Sequence, residues 1–289
     1  MSFKGLLVAA AVAPLCAYAS VEPHPWSGKK VVYFGDSVTD PAQVKSCGHS
    51  VYWKYLQELH GIEPHVYAVN GYQWDRIYPL TQKMKEEMGN SPDAILIFLG
   101  TNDYNASVPI GEWYDVAEED VNRNGVTARM PRRRFAKGMK TFRGRINTVM
   151  EYLKRNFTDQ QIVLMTPLHR GYATFGETNV QPPESVPNAL GLYIEDYVAV
   201  IREAADVWSV PLIDLYRDSG LYPADPAYAK YFRDGGENGK DNLHPNGLGH
   251  LRLARTIAAR LRTLPPGFKE TSAPKICGQD AQTSGVAER

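Results

Sequence analysis

The sequence predicts an α/β fold, a five-stranded parallel sheet between helices. Three observations carry that reading. Short apolar, β-branched runs alternate with longer helical patterns, none of the runs has a charge at its centre, and a helical stretch follows most of them. Strands buried on both faces and joined by crossover helices have these properties. A chain of 289 residues, 43% of them hydrophobic, can bury one full core. It shows no internal repeat and no low-complexity tract.

Taken in order, the expected strands are residues 30–34, 64–69, 94–99, 161–165 and 210–215, and the expected helices are 52–60, 78–88, 135–156, 193–208 and 249–261. Residues 105–134 break the rhythm with Gly, Pro and mixed charge, and read as an insertion over one end of the sheet. Arg132-Arg133-Arg134 within it read as a solvated helix start rather than an anion site. A second irregular stretch spans 171–188. Both stretches follow strands at their C-terminal ends, where open α/β sheets bind ligands, so both are candidate pocket walls. The expected organisation is a leader over 1–19, one domain over 20–265 and a polar tail over 266–289.

The leader is read from Lys4, an apolar run from Gly5 to Cys16, and the small-x-small Ala17-Tyr18-Ala19. The run is short for a membrane anchor, and Ala13-Pro14-Leu15 make a poor lipobox before Cys16. The expectation is therefore an exported protein without stable membrane insertion once the leader is cleaved. Cys47 and Cys277 then remain, and they either form a disulfide in an oxidising compartment or stay as two thiols. Asn105-Ala106-Ser107 and Asn156-Phe157-Thr158 are glycosylation sequons, relevant only in a eukaryotic host. Lys+Arg and Asp+Glu both total 32, so no long-range field draws nucleic acid.

The first strand runs into Phe34-Gly35-Asp36-Ser37, a hydroxyl at a strand-to-helix turn. The second runs into Val69-Asn70-Gly71 and the third into Gly100-Thr101-Asn102. Acyl transfer needs donors aimed at a developing oxyanion, and the N–H groups of Ser37 and Gly71 with the Asn102 amide could supply three. Near the C-terminus, Asp241-Asn242-Leu243-His244-Pro245 precedes the last helix. Asp241 could fix the His244 tautomer, leaving its other nitrogen to take the proton of Ser37.

These four segments, in this order, resemble the SGNH or GDSL hydrolase family over about residues 30–261. The resemblance implies a flavodoxin-like, three-layer α/β/α sandwich. It also makes Ser37, Gly71, Asn102 and His244 the signature residues and Asp241 the acid of the triad. The second block departs from the usual small residues, since Tyr72, Gln73 and Trp74 follow Gly71.

Competing sites are weaker. Gly48-His49-Ser50 lacks the last glycine of a nucleophile elbow and opens a helix, so Ser50 reads as a capping or solvent residue. His250 lacks the spacing to share a metal with His244 and Asp241, and neither metal nor cofactor is expected. His169 and Arg170, closing the fourth strand, are candidate substrate contacts, as are the rings of Tyr72, Trp74, Tyr104 and Trp113. Those rings point to an acetylated carbohydrate, with a lipid ester, as in a lysophospholipase, as the alternative. A glycan-binding module without turnover and a metal-dependent phosphoesterase are the rivals outside this reading. A histidine base must be neutral to act, so activity is expected to rise through roughly pH 6 to 7.

Overall fold

The computed structural model describes residues 22–42, 50–233 and 241–269. The leader expected over 1–19, Cys16, Cys47, Cys277 and the tail from residue 270 lie outside the described residues.

In chain order the elements are β1 (Lys30–Gly35), α1 (Tyr52–His60), β2 (Glu63–Ala68), α2 (Ile77–Met88), β3 (Ala94–Phe98) and α3 (Thr101–Asn105). There follow β4 (Tyr114–Arg123), β5 (Val126–Phe135), α4 (Phe142–Asn156), β6 (Gln161–Met165), β7 (Ala173–Thr174) and β8 (Val180–Gln181). The chain continues through α5 (Ile194–Trp208), β9 (Leu212–Ile213), α6 (Leu215–Asp218), β10 (Phe232–Arg233), β11 (Asp241–Pro245) and α7 (Gly247–Leu261). The main sheet is parallel throughout, in the order β2-β1-β3-β6-β9.

Burial explains that order. β3 and β6 are buried at every position and β1 at all but its first, because alternate side chains enter two different cores. Val31 and Tyr33 pack toward α1 and α7, with Tyr52, Leu56, Leu253 and Ile257. Val32 and Phe34 pack toward α2, α4 and α5, with Met84, Ile146 and Ile201. Helices thus cover both faces, giving three layers. β2 lies at one edge and is only half-buried, which suits Pro64 because an edge position needs no ladder N–H. Among the described residues no helix is long and apolar enough to cross a membrane.

Two expected elements are corrected. Residues 105–134 are not a shapeless insertion: β4 and β5 pair with each other over ten residues each, around Asn124 and Gly125 at φ 53° and 83°. Two consecutive positive φ values match the twist of an antiparallel ribbon, which is why Asn-Gly is favoured there. Arg132, Arg133 and Arg134 therefore lie in β5 rather than at a helix start. Arg132 and Arg134 both bond Glu119 of β4, the former at 3.0 Å. Phe135 ends this ribbon, stacked on Trp208 at 4.2 Å, so the helix expected from 135 starts at Phe142, where Thr141 Oγ1 accepts from the Gly144 N–H. The fifth strand is also shorter than expected, since Asp214 leaves the sheet to cap α6 by accepting from the Arg217 N–H.

A second, antiparallel sheet runs β10-β11-β7-β8. It matters because β11 carries Asp241 and His244. Asn246 follows them and caps α7, accepting from the N–H groups of Leu248 and Gly249 at 3.0 and 3.2 Å. That cap starts the helix two residues before the expected position.

Candidate active site

The turn after β1 is tight. A Cβ on Gly35 would lie 2.3 Å from Thr39 Oγ1, so only glycine lets the chain fold back there. The Asp36 carbonyl accepts from the N–H groups of Thr39 and Asp40, and Asp36 Oδ1 accepts from that of Val38 at 3.1 Å. Ser37 sits in this turn, 5% exposed. Asp40 ties the turn to the end of β2, its Oδ2 accepting from the Asn70 N–H at 2.8 Å. The next residue, Gly71, has φ 79° and open space where a Cβ would be. Neither the Ser37 nor the Gly71 N–H has an acceptor among the described residues.

Asn102 reaches the same edge from the start of α3, after Gly100 at φ 131°. Its Nδ2 donates to the Tyr72 carbonyl at 3.0 Å and, more weakly, to Asp36 Oδ2 at 3.4 Å. From the second sheet, His244 Nε2 lies 2.8 Å from Ser37 Oγ. On the other side of the ring, Nδ1 lies 3.0 and 2.9 Å from the two Asp241 oxygens. Asp241 Oδ1 also accepts from the N–H groups of Leu243 and His244, at 3.2 and 2.9 Å.

Burial raises the Asp241 pKa, but the hydrogen bond and charge of His244 outweigh it and hold the carboxyl below the usual carboxylate range. An ionised Asp241 can only accept, so Nδ1 carries the ring proton and Nε2 faces Ser37 as an acceptor. Asp36 is the opposite case. Burial pushes it up to about 7, against the lowering bond from Val38. A carboxyl near neutrality thus sits beside Ser37 and Asn102.

The structure brings Ser37, Asp241 and His244 into one hydrogen-bonded line, with Gly71 and Asn102 on the adjoining turns. It does not bring in most of the rings expected to bind substrate. Trp74 is fully buried in the core between the sheet and α2 and α4. Tyr104 is 2% exposed, with its hydroxyl donating to the Val186 carbonyl at 2.6 Å. Trp113 donates to Glu203 at 2.8 Å and lies under Arg143. These three are packing residues: Tyr104 and Trp113 have their polar atoms engaged by the scaffold, and Trp74 is sealed in the core. Tyr72 stays half-buried at the site edge, and the departure after Gly71 has a structural cause. Buried Asp103, bonded to Arg145 at 2.8 Å, accepts from the Trp74 N–H, and Arg145 also holds Gln73 at 2.7 Å.

His169 and Arg170 part company. His169 Nδ1 lies 3.0 Å from both Glu184 oxygens, its ring stacks on Tyr216 at 3.6 Å, and it lines a cavity of ≈ 20 Å³ with Asp36, Val38, Thr101 and Leu243. Arg170 is 1% exposed and turned inward, bonded to Thr101, Asn105 and Gln181, and its burial lowers it to about 10. It is a scaffold cation rather than a surface for substrate. His250 packs against Tyr52 and is not part of the line. Ser50 does not cap α1 either, since Val51 occupies that position.

Three residues at this site escaped the sequence reading: Asp36, Asp40 and Phe175. Asp40 could have been read from its place in the turn; Phe175 gave no signal. It is 44% exposed, with its ring 5.4 Å from the His244 imidazole.

A model of the GDSL-like lipase/acylhydrolase family matches residues 33–252. Comparison with curated proteins gives no match. Solved structures are similar in fold. One from Lactobacillus plantarum is 25% identical, covering 82% of this chain and 98% of its own, with a TM-score of 0.62. Another from Chitinophaga pinensis, described as "a possible lipase", is 18% identical, covering 81% and 98%, with a TM-score of 0.59.

Proposed function

Because the chain belongs to the GDSL-like lipase/acylhydrolase family, we propose that it is an exported serine esterase removing a short acyl group, acetyl, from a carbohydrate through Ser37, His244 and Asp241. The observation that carries this reading is the 2.8 Å contact between Ser37 Oγ and His244 Nε2, with Asp241 on the opposite ring nitrogen.

His244 Nε2 takes the hydroxyl proton as the Ser37 Oγ–C bond forms, and the carbonyl electron pair moves onto oxygen. The N–H groups of Ser37 and Gly71, both without an acceptor among the described residues, receive that charge, together with the Asn102 N–H that otherwise rests weakly on Asp36 Oδ2 at 3.4 Å. Asp241 stabilises the imidazolium. Collapse breaks the bond to the alcohol oxygen, which leaves with the proton from Nε2. Water then loses a proton to Nε2, attacks the acyl carbon, and Oγ leaves and regains its hydrogen. No step calls for a cofactor.

The size of the acyl group is what the chain-length series below reads. Export rests on the pattern of Lys4 to Ala19. A fluorophosphonate probe should label the wild type and spare Ser37→Ala; an unlabelled folded wild type would instead fit a glycan-binding module. Acetate release from acetylated xylan, pectin and sialic acid, compared with p-nitrophenyl esters of rising chain length, tests the substrate. Rates that climb with chain length would point to a lipid ester instead.

A further inference from the structure

The ring of Phe175 is an apolar side chain beside the reacting groups that the chemistry above leaves unused. It is 44% exposed, yet its ring centroid is 5.4 Å from that of His244, with the planes at 58°. Side chains held this close to a catalytic imidazole on one side and water on the other are placed to meet substrate.

The fold determines which half of the substrate. The oxyanion donors stand on the turns that follow β1 and β2 and at the start of α3, which follows β3. Phe175 comes instead from the second sheet, where β7 pairs directly with the strand of His244, Ala173 opposite Asp241. In the proposed reaction the alcohol oxygen must come within hydrogen-bond reach of Nε2 to recover its proton, while the carbonyl oxygen turns away toward Gly71. A ring on the imidazole side therefore meets the alcohol, not the acyl group.

The ring is presented from a fixed base. Phe175 N–H donates to the Asn179 carbonyl at 2.9 Å, and Asn179 N–H to that of Gly176 at 3.2 Å, closing the tip of the β7–β8 hairpin. At the other end Gln181 Oε1 accepts from Asn105 at 2.8 Å and from buried Arg170 at 3.2 Å. The same Arg170 bonds Thr101, next to Asn102, so the hairpin is anchored to the helix that carries the amide donor.

Resting on the esterase reading above, we propose that Phe175 is a specificity-determining residue that stacks on a ring-shaped alcohol, the flat face of a pyranose or aryl group. The test uses acetate esters that share one acyl group and differ in alcohol: ethyl, cyclohexyl, phenyl and an acetylated pyranoside. Phe175→Ala should lower kcat/KM about three- to tenfold on the ring-bearing alcohols, and leave ethyl acetate within about twofold. Phe175→Trp should keep the preference. Stopped-flow with p-nitrophenyl acetate supplies the decisive readout. The acylation burst should slow in Phe175→Ala, while breakdown of the acetyl-enzyme, from which the alcohol has already gone, should not change.

Equal losses on all four esters, or equal slowing of burst and breakdown, would overturn the proposal, because a residue that merely props His244 affects both half-reactions. Unchanged kinetics throughout would also overturn it. Loss on cyclohexyl and pyranoside esters without loss on phenyl would assign the ring to sugars, and the converse to aryl alcohols. A folded wild type that a fluorophosphonate does not label, or full activity in Ser37→Ala, would signal failure of the esterase reading itself.

Discussion

Replacing Asp241 by Asn should do more damage than the loss of one charge. Asp241 Oδ1 accepts two backbone N–H groups, from Leu243 at 3.2 Å and from His244 at 2.9 Å. An Asn side chain must keep its single oxygen on that side, because turning its NH2 there would leave two buried donors facing two more. The amide nitrogen then occupies the Oδ2 position, 2.9 Å from His244 Nδ1, and donates to it, while the oxygen 3.0 Å from Nδ1 is already taken by the two backbone N–H groups. With Nδ1 an acceptor, the ring proton moves to Nε2, and Nε2 can no longer receive a proton from Ser37. A wrong tautomer of this kind costs about 10⁴ in kcat in the serine-protease precedent, or about 5 kcal/mol at the usual conversion of 1.36 kcal/mol per decade. Steady-state kinetics on p-nitrophenyl acetate would measure the loss, and ¹⁵N NMR of the imidazole would report the tautomer. Activity within tenfold of the wild type, or a proton found on Nδ1 in a folded Asn variant, would refute the reasoning.

Asn102→Ala should lower kcat by about 10²–10³ with little change in KM, as expected for one oxyanion donor, and a loss under threefold would remove it from that role. Asp36, raised by burial to about 7, keeps its proton in the folded state where an unfolded carboxyl has lost it. Its contribution to stability is therefore full below about pH 4 and lost as pH rises toward 7. The folding constant of the wild type relative to Asp36→Asn should accordingly fall by nearly tenfold per pH unit over that window in denaturant titrations, and a flat difference would contradict the shift. Gly35→Ala should unfold the turn or strongly destabilise the protein, since its Cβ would meet Thr39 Oγ1 at 2.3 Å. Gly71→Ala meets no atom within 4 Å and should cost only the roughly 1–2 kcal/mol of a left-handed backbone; thermal melts that rank the two the other way would reject both assignments.

Some of this architecture was legible because burial writes itself into composition. After their first residues β1 and β6 are apolar, as β3 is throughout, since both faces of these strands meet helices, and their limits are legible to within one residue. β4 and β5 were missed for the converse reason. Their ribbon is mostly exposed on both faces, so Asp115, Glu118, Arg129 and Arg133 can occupy positions that a half-buried strand would give to apolar side chains. The one available signal, Asn124-Gly125, carried no alternation around it. The candidate site divides similarly. Ser37, Gly71, Asn102 and the Asp241/His244 pair each stand at a strand end or before a helix cap, positions that local sequence marks. Trp74, Tyr104 and Trp113 were misread because an aromatic close in sequence to a strand end is as well placed to fill the core as to face solvent. Phe175 depends on the pairing of Ala173 with Asp241, a contact between segments that no local pattern joins.

The bond between Ser37 and His244 spans 207 positions of chain. Everything that prepares the serine locally, the Gly35 turn and the Asp40 tie to Asn70, belongs to the first quarter of the molecule, while its base arrives only with β11. Until that strand is in place, the Ser37 hydroxyl has no base beside it and is chemically inert. In the proposed mechanism, turnover therefore begins only when the last strand and its capped helix dock.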